Sequence, residues 1–168
     1  MDLNFSKEYK DFTNEVKDFC KKYSGIHFSD STKVPLSGSF KSGEIKMKRS
    51  DWQKILIEKG YFARSIPTEY GGFGGESDII KTRIIAEEFA KAKIPPPMGG
   101  QGIDMLVPTL LELGTEEQKQ KYVKSTLLGE IIWCQGYSEP NAGSDLANLQ
   151  TKGELINGNW VINGQKIW

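Results

Sequence analysis

The sequence predicts a mainly α-helical segment over residues 1–129 followed by the opening strands of a β domain over 130–168. Three observations carry that division. Apolar residues recur at steps of three and four through the first 129 positions, the period of amphipathic helices. Gly and Pro interrupt that pattern where helices end. From Ile131 the chain turns to β-formers and aromatics (IIWCQGY), and two Asn-Gly dipeptides follow, Asn157-Gly158 and Asn163-Gly164. Each is flanked by strand-like residues, the strongest short signal for a hairpin.

The elements follow in order. Phe5, Tyr9, Phe12, Val16, Phe19 and Tyr23 form one stripe of a first helix, ended by Gly25. Residues 28–43 are polar and rich in Ser and Gly, and read as loop. Ser50 with Gln53 has the spacing of a capping box, opening a short helix that buries Trp52, Ile55 and Leu56 and stops at Gly60. PTEYGGFGG, residues 67–75, is a Gly-rich connection. Ser77 opens the next helix, with Ile80, Ile84 and positions 86–90 expected to face a core, and Pro95, Pro96 and Pro97 close it. Ile103, Leu106, Val107, Leu110 and Leu111 mark a further helix. Pro108 either kinks that helix or sits in the first turn of its second part. Gly114 ends it, and Thr115 with Gln118 caps the helix that follows.

The bulk composition narrows the function classes. Hydrophobic residues make up 38% and charged residues 26%, as in globular proteins. Twenty-two basic and 22 acidic side chains cancel, leaving neither a nucleic-acid footprint nor a polybasic membrane patch. No apolar run approaches the roughly 20 residues of a membrane span. Cys20 and Cys134 lack metal or redox spacing and read as free thiols. With no signal-peptide pattern at the start, the expected location is the cytoplasm. The final strand would stop at Trp168 without a partner, so the chain is expected to be the front of a longer protein.

Few residues carry chemistry. His27, the sole histidine, has no partner at metal-ligand spacing and reads as surface or structural. PTEYGGFGG lacks the Lys-Ser/Thr of a P-loop and reads as a helix-to-helix turn needing positive φ. QGYSEPNAGSDLA, residues 135–147, stands apart. Ser138, Asn141, Gly143 and Ser144 place hydroxyls and an unhindered backbone within seven residues. Gly143 would let a ligand approach the main chain, and N–H groups around it could form an anion nest. Ser144 and Asp145 could equally cap a short turn. On these residues alone a ligand loop and an ordinary strand exit stand side by side.

YSEPNAGSD, continued by NGNWVINGQKIW, resembles the signature region of the acyl-CoA dehydrogenase family of flavoproteins. PTEYGGFGGE is similar to the family's first Gly-rich turn, LLELGTEEQKQKYV to its helix before the sheet, and GEIIWCQGYSEP to its first β-strand. The resemblance covers essentially the whole chain. The pairing of PPP at 95–97 with WCQGYSEP is most similar to bacterial members acting on dicarboxylic or ring-bearing acyl-CoAs.

The resemblance implies a helical N-terminal domain, a middle antiparallel β-barrel and a C-terminal helical bundle, of which this chain is a truncated front part. It implies FAD as cofactor, with main chain around Gln135 and Tyr137 at the ring's pyrimidine side and the Ser138 hydroxyl near N5. Gly143 and Ser144 would lie beside the diphosphate, Ser144 also touching the acyl-CoA substrate, and Trp168 would pack on the ring. Asn141 departs from the Gly of many members. The reaction implied is α,β-dehydrogenation of an acyl-CoA, with electron-transferring flavoprotein as acceptor and a homo-oligomer or heteromeric tetramer as assembly. The catalytic base would be a Glu beyond this chain, so residues 1–168 alone are expected to be inactive and to bind FAD weakly if at all. Same-fold alternatives are an acyl-CoA oxidase, a flavin monooxygenase or a non-catalytic partner subunit; a helical protein–protein module with a coincidental loop is the remaining reading.

Overall fold

The computed structural model describes residues 6–29 and 45–167, so the expectations for Phe5, for most of the 28–43 loop and for Trp168 lie outside the described residues. The chain forms two compact units, divided between Ile132 and Trp133.

The first unit holds α1 (Lys7–Lys22), β1 (Ile26–Phe28), β2 (Ile45–Met47), α2 (Arg49–Glu58), α3 (Ile79–Ala92), α4 (Val107–Leu113) and α5 (Glu116–Leu127). Strands β1 and β2, which the sequence reading missed, pair in parallel with Ile26 opposite Ile45 and Phe28 opposite Met47. His27 lies exposed on β1.

Helix α2 is the pivot. Trp52, Gln53, Leu56 and Ile57 are all buried on it, two adjacent stripes rather than one. Trp52 and Leu56 join Val16, Phe19, Ile84, Ile85 and Phe89 in one core, while Ile57 joins Tyr70, Val107, Val123 and Leu127 in a second. Phe19 centres the first core. Its ring stacks on Trp52 at 5.7 Å and on Phe89 at 5.9 Å, and meets Tyr61 edge-on at 5.0 Å. Each such pair contributes about 0.5–1.5 kcal/mol beyond its buried area.

Between the two stripes sits Gln53, fully buried. The Ser50–Gln53 capping box therefore does not form: α2 begins at Arg49, and Gln53 is drawn inward instead. Its Nε2 donates to the Leu127 carbonyl at 2.9 Å, and its Oε1 accepts from the Met98 N–H at 2.8 Å. One amide thus closes off the C-terminus of α5 and the strap after the prolines.

Two details of α3 correct the sequence reading. Asp78, not Ser77, caps it, accepting from the Lys81 N–H at 2.9 Å. The inward stripe runs Lys81, Ile84, Ile85, Glu88 and Phe89, leaving Ile80, Ala86 and Ala90 exposed. Lys81 takes the first-turn position because its ammonium reaches Glu8 on α1 at 2.6 Å while lying over the Phe12 ring.

Helix ends are made the same way three times. After α2, Gly60 (φ 68) bonds back to Ile57 and Tyr61 to Leu56; after α5, Gly129 (φ 71) and Glu130 bond to Thr126 and Ser125. Both are Schellman closures with glycine in the left-handed position. After α3 the same pair of bonds runs from Lys93 to Ala90 and from Ile94 to Phe89, but Lys93 holds φ 56. The Gly-rich turn at 67–75 needs positive φ at Gly71 and Gly74, as read. Pro108 lies in the first turn of α4, after a wide turn over Gly102–Leu106. The Thr115–Gln118 capping box is present in both directions.

The second unit carries β3 (Lys152–Ile156) and β4 (Asn159–Asn163), an antiparallel hairpin. Asn157 (φ 51) and Gly158 (φ 79) supply the two left-handed residues of its turn. The hairpin read at Asn163-Gly164 does not form. Asn163 is not left-handed, and Gly164 serves a close approach instead: a Cβ there would fall 2.2 Å from Thr151 Oγ1. Among the described residues these are the only antiparallel strands, and no barrel is closed. Residues 133–138, expected as a strand, are in no ladder among the described residues; the Ile167 N–H donates to the Ser138 carbonyl at 2.9 Å.

Gln53→Leu keeps the volume but strands a buried carbonyl and N–H, and should lower stability by about 2–4 kcal/mol in urea unfolding. Lys93→Gly should raise it by about 0.5–1 kcal/mol, because glycine adopts the left-handed cap without strain.

Candidate functional site

The loop from Ser138 to Thr151 lies in the second unit and is organised by one acid. Glu139 is the single charged residue between Ile131 and Ser144. Pro140 follows it and pre-sets a turn. The Glu139 N–H donates to the Ala142 carbonyl at 2.9 Å, and the Ala142 N–H donates back at 3.1 Å, closing residues 139–142. Asn148 Nδ2 reaches the Asn141 carbonyl at 2.7 Å and ties that turn to the short 3₁₀ turn over Leu146–Asn148.

The Glu139 side chain is buried on an otherwise largely exposed loop, and burial of a carboxylate requires donors. It has three. The Gln150 N–H lies 2.8 Å from Oε2, and the Thr151 N–H and Lys166 Nζ lie 3.0 and 2.9 Å from Oε1. Lys166 Nζ also donates to the Tyr137 carbonyl at 2.9 Å. The Thr151 hydroxyl, the Gln150 N–H and Lys166 together hold the carboxyl down to about 2. The Thr151 hydroxyl lies buried there without a well-formed hydrogen bond of its own, so the weight rests on the backbone N–H groups and the ammonium.

Around this frame stand the residues singled out from sequence. The Ser138 main chain is gripped on both sides, its own carbonyl by Ile167 and the preceding one by Lys166. Tyr137 is exposed, and Gln135 is half-buried. Gly143 and Ser144 are exposed, and a Cβ built at Gly143 would meet nothing within 4 Å. Among the described residues, the hydroxyls of Ser138 and Ser144 and the N–H groups of Gly143 and Ser144 have no protein acceptor. Asp145 precedes the 3₁₀ turn without capping it through its side chain. The anion nest read around Gly143 is not built from left-handed residues, since no residue from 130 to 156 has positive φ. Asn141 likewise stays out of the left-handed region.

Glu139 and Lys166 were not singled out from sequence. The available signal was an isolated acid before Pro in an uncharged stretch; its cation, 27 residues on, has no local pattern to mark it.

Residues 6–130 match the model of the acyl-CoA dehydrogenase N-terminal domain. The chain belongs to the acyl-CoA dehydrogenase family. The acyl-CoA dehydrogenase IpdE1 of Mycolicibacterium smegmatis is 39% identical over 143 residues, covering 79% of this chain and 36% of that protein. The mitochondrial isovaleryl-CoA dehydrogenase of Solanum tuberosum is 35% identical over 167 residues, covering 99% and 38%. Among solved structures, the ChsE4-ChsE5 complex from Mycobacterium tuberculosis superposes with a TM-score of 0.60 at 27% identity, covering 100% of this chain and 40% of that one. The Tcur3481-Tcur3483 steroid ACAD gives 0.58 at 28% identity, covering 99% and 41%. The chain thus spans little more than a third of the length of these curated relatives.

Because the folded pKa of Glu139 lies below that of a free carboxyl, its contribution is complete above about pH 4.5 and is lost as pH falls through about 2. The Gln150 and Thr151 amide resonances should therefore titrate with a midpoint near 2; a midpoint at the ordinary carboxylate value would show the clamp to be absent.

Proposed function

We propose that this chain is the front part of an FAD-dependent acyl-CoA dehydrogenase that oxidises an acyl-CoA thioester to the 2,3-enoyl-CoA. Family membership supports the reaction class, and one observation carries the site: donors without protein acceptors, the Ser138 and Ser144 hydroxyls and the Gly143 and Ser144 N–H groups, on a loop fixed by Glu139. That donor set fits an acceptor-rich ligand. The open space at Gly143 fits close approach of a diphosphate to the main chain. When bound, FAD supplies the two-electron acceptor for the β-hydride.

Each residue then has a task. Ser138 donates its hydroxyl toward the redox ring, where a fixed donor stabilises developing negative charge. Gly143 and Ser144 bind the diphosphate through N–H and hydroxyl, and Ser144 also orients the acyl-CoA. Main chain at Gln135 and Tyr137 lines the ring's edge, with the Tyr137 carbonyl already sharing the Lys166 ammonium. Trp168 would stack on the ring. The α-proton is removed by a carboxylate outside residues 1–168, in the remaining length that relatives possess. The middle strands β3 and β4 would then open an antiparallel barrel.

A ring-bearing acyl group is the substrate class we favour, supported by similarity to a protein described as a steroid ACAD. A heteromeric assembly is favoured for the same kind of reason, since the ChsE4-ChsE5 structure is a complex of two named chains. Electron-transferring flavoprotein is the proposed acceptor; peroxide released during turnover would assign the chain to an oxidase instead.

The full-length protein should bind FAD and lose its visible flavin absorbance on anaerobic addition of an acyl-CoA. Ser138→Ala at saturating FAD should slow that loss by about 100-fold. Residues 1–168 alone should turn over no acyl-CoA with a dye acceptor. Full-length protein that takes up no FAD would overturn the reading.

A further inference from the structure

We propose that Glu139 and Lys166 act as one positioning device for the dehydrogenation, fixing the peptide between Tyr137 and Ser138 so that the Ser138 hydroxyl is held at the reacting ring; this rests on the flavin-site reading above. Three chain segments meet at the Glu139 carboxylate. The 150–151 backbone precedes β3, Lys166 follows β4, and Glu139 itself follows Ser138. Lys166 carries the connection onward. Its Nζ donates both to the Glu139 carboxylate and to the Tyr137 carbonyl, 2.9 Å in each case.

The peptide group is planar, so a held Tyr137 carbonyl also fixes the Ser138 N–H on the opposite side. The Ser138 carbonyl is bound by the Ile167 N–H, and the next residue has both its N–H and C=O committed to Ala142. Backbone freedom at Ser138 is thereby removed, leaving rotation of one side chain. The ammonium stays on the Tyr137 carbonyl because the carboxylate beside it is anionic and buried; its own side chain remains partly exposed, at 30%, and would otherwise be drawn to water. A clamp serving only the fold would need the carboxylate and its backbone donors. The bridge to the residue before Ser138 is what a positioning role adds.

The test uses full-length protein loaded with FAD. Glu139→Gln and Lys166→Met should each lower the rate constant for flavin reduction at saturating acyl-CoA by about 10- to 100-fold, as displacement of a reacting group does. The double variant should be no slower than either single one, because the two residues act as a unit. Lys166→Arg should recover most of the rate. A lower melting temperature with an unchanged rate constant per bound flavin would mean a structural clamp and overturn the proposal, as would additive losses in the double variant. If Glu139→Gln does not fold, Lys166→Met decides alone, since it leaves both backbone bonds to the carboxylate in place. Active wild-type protein with equally fast variants sinks only this proposal; wild-type protein that binds no FAD sinks the flavin reading and this with it.

Discussion

Gln53 and Glu139 are each withdrawn from water, and the chain around them supplies the partners that water no longer can. An unpaired amide or carboxylate in such a position would cost a large part of a domain's stability. The requirement acts as a constraint on the path of the chain. Gln53 can be satisfied only if the end of α5 and the strap through Met98 come to the same point on α2. Glu139 can be satisfied only if the 150–151 backbone and Lys166 come to the turn after Ser138. In each unit, one polar side chain thereby fixes segments that are distant in sequence.

Apolar packing supplies most of the driving force but is less selective about register. Helix α2 illustrates the division of labour. Its Trp52 and Leu56 stripe and its Ile57 edge could slide by fractions of a turn against soft apolar neighbours. Trp52 donates Nε1–H to the Pro95 carbonyl at 3.1 Å, and Gln53 adds its two directional bonds beside it. Directional bonds between two cores hold α2 at one rotation.

The loop around Ser138 shows the same principle applied to a candidate binding surface. Preorganised donors are effective because they need no rearrangement when charge develops near them. Among the described residues the rigidity comes from neither an extended ladder over 133–138 nor left-handed backbone, since no residue from 130 to 156 has positive φ. It comes from an acid whose ionised form is strongly favoured by three donors. Gly143 and Ser144 can consequently stay exposed, and the Ser138 hydroxyl uncommitted though half-buried, while the backbone is held.

What the sequence determined by itself was whatever depends on near neighbours. Helix periodicity, the Thr115–Gln118 box, the glycine closure at Gly60, the Asn157-Gly158 turn and the family-like loop at 137–145 were all legible, because period, capping and turn chemistry act over a few residues. Where two local rules competed, tertiary structure chose. Gln53 left its box for a buried position between two cores. Lys81 took the inward place offered by Ile80 because Glu8 and Phe12 lay opposite. Asn163-Gly164 gave up a turn to let Gly164 meet Thr151. The Glu139–Lys166 pair joins residues 27 positions apart, and nothing in either one's neighbourhood announces the other. Such a pairing is decided only when burial removes water and leaves the carboxylate to find its partners within the fold.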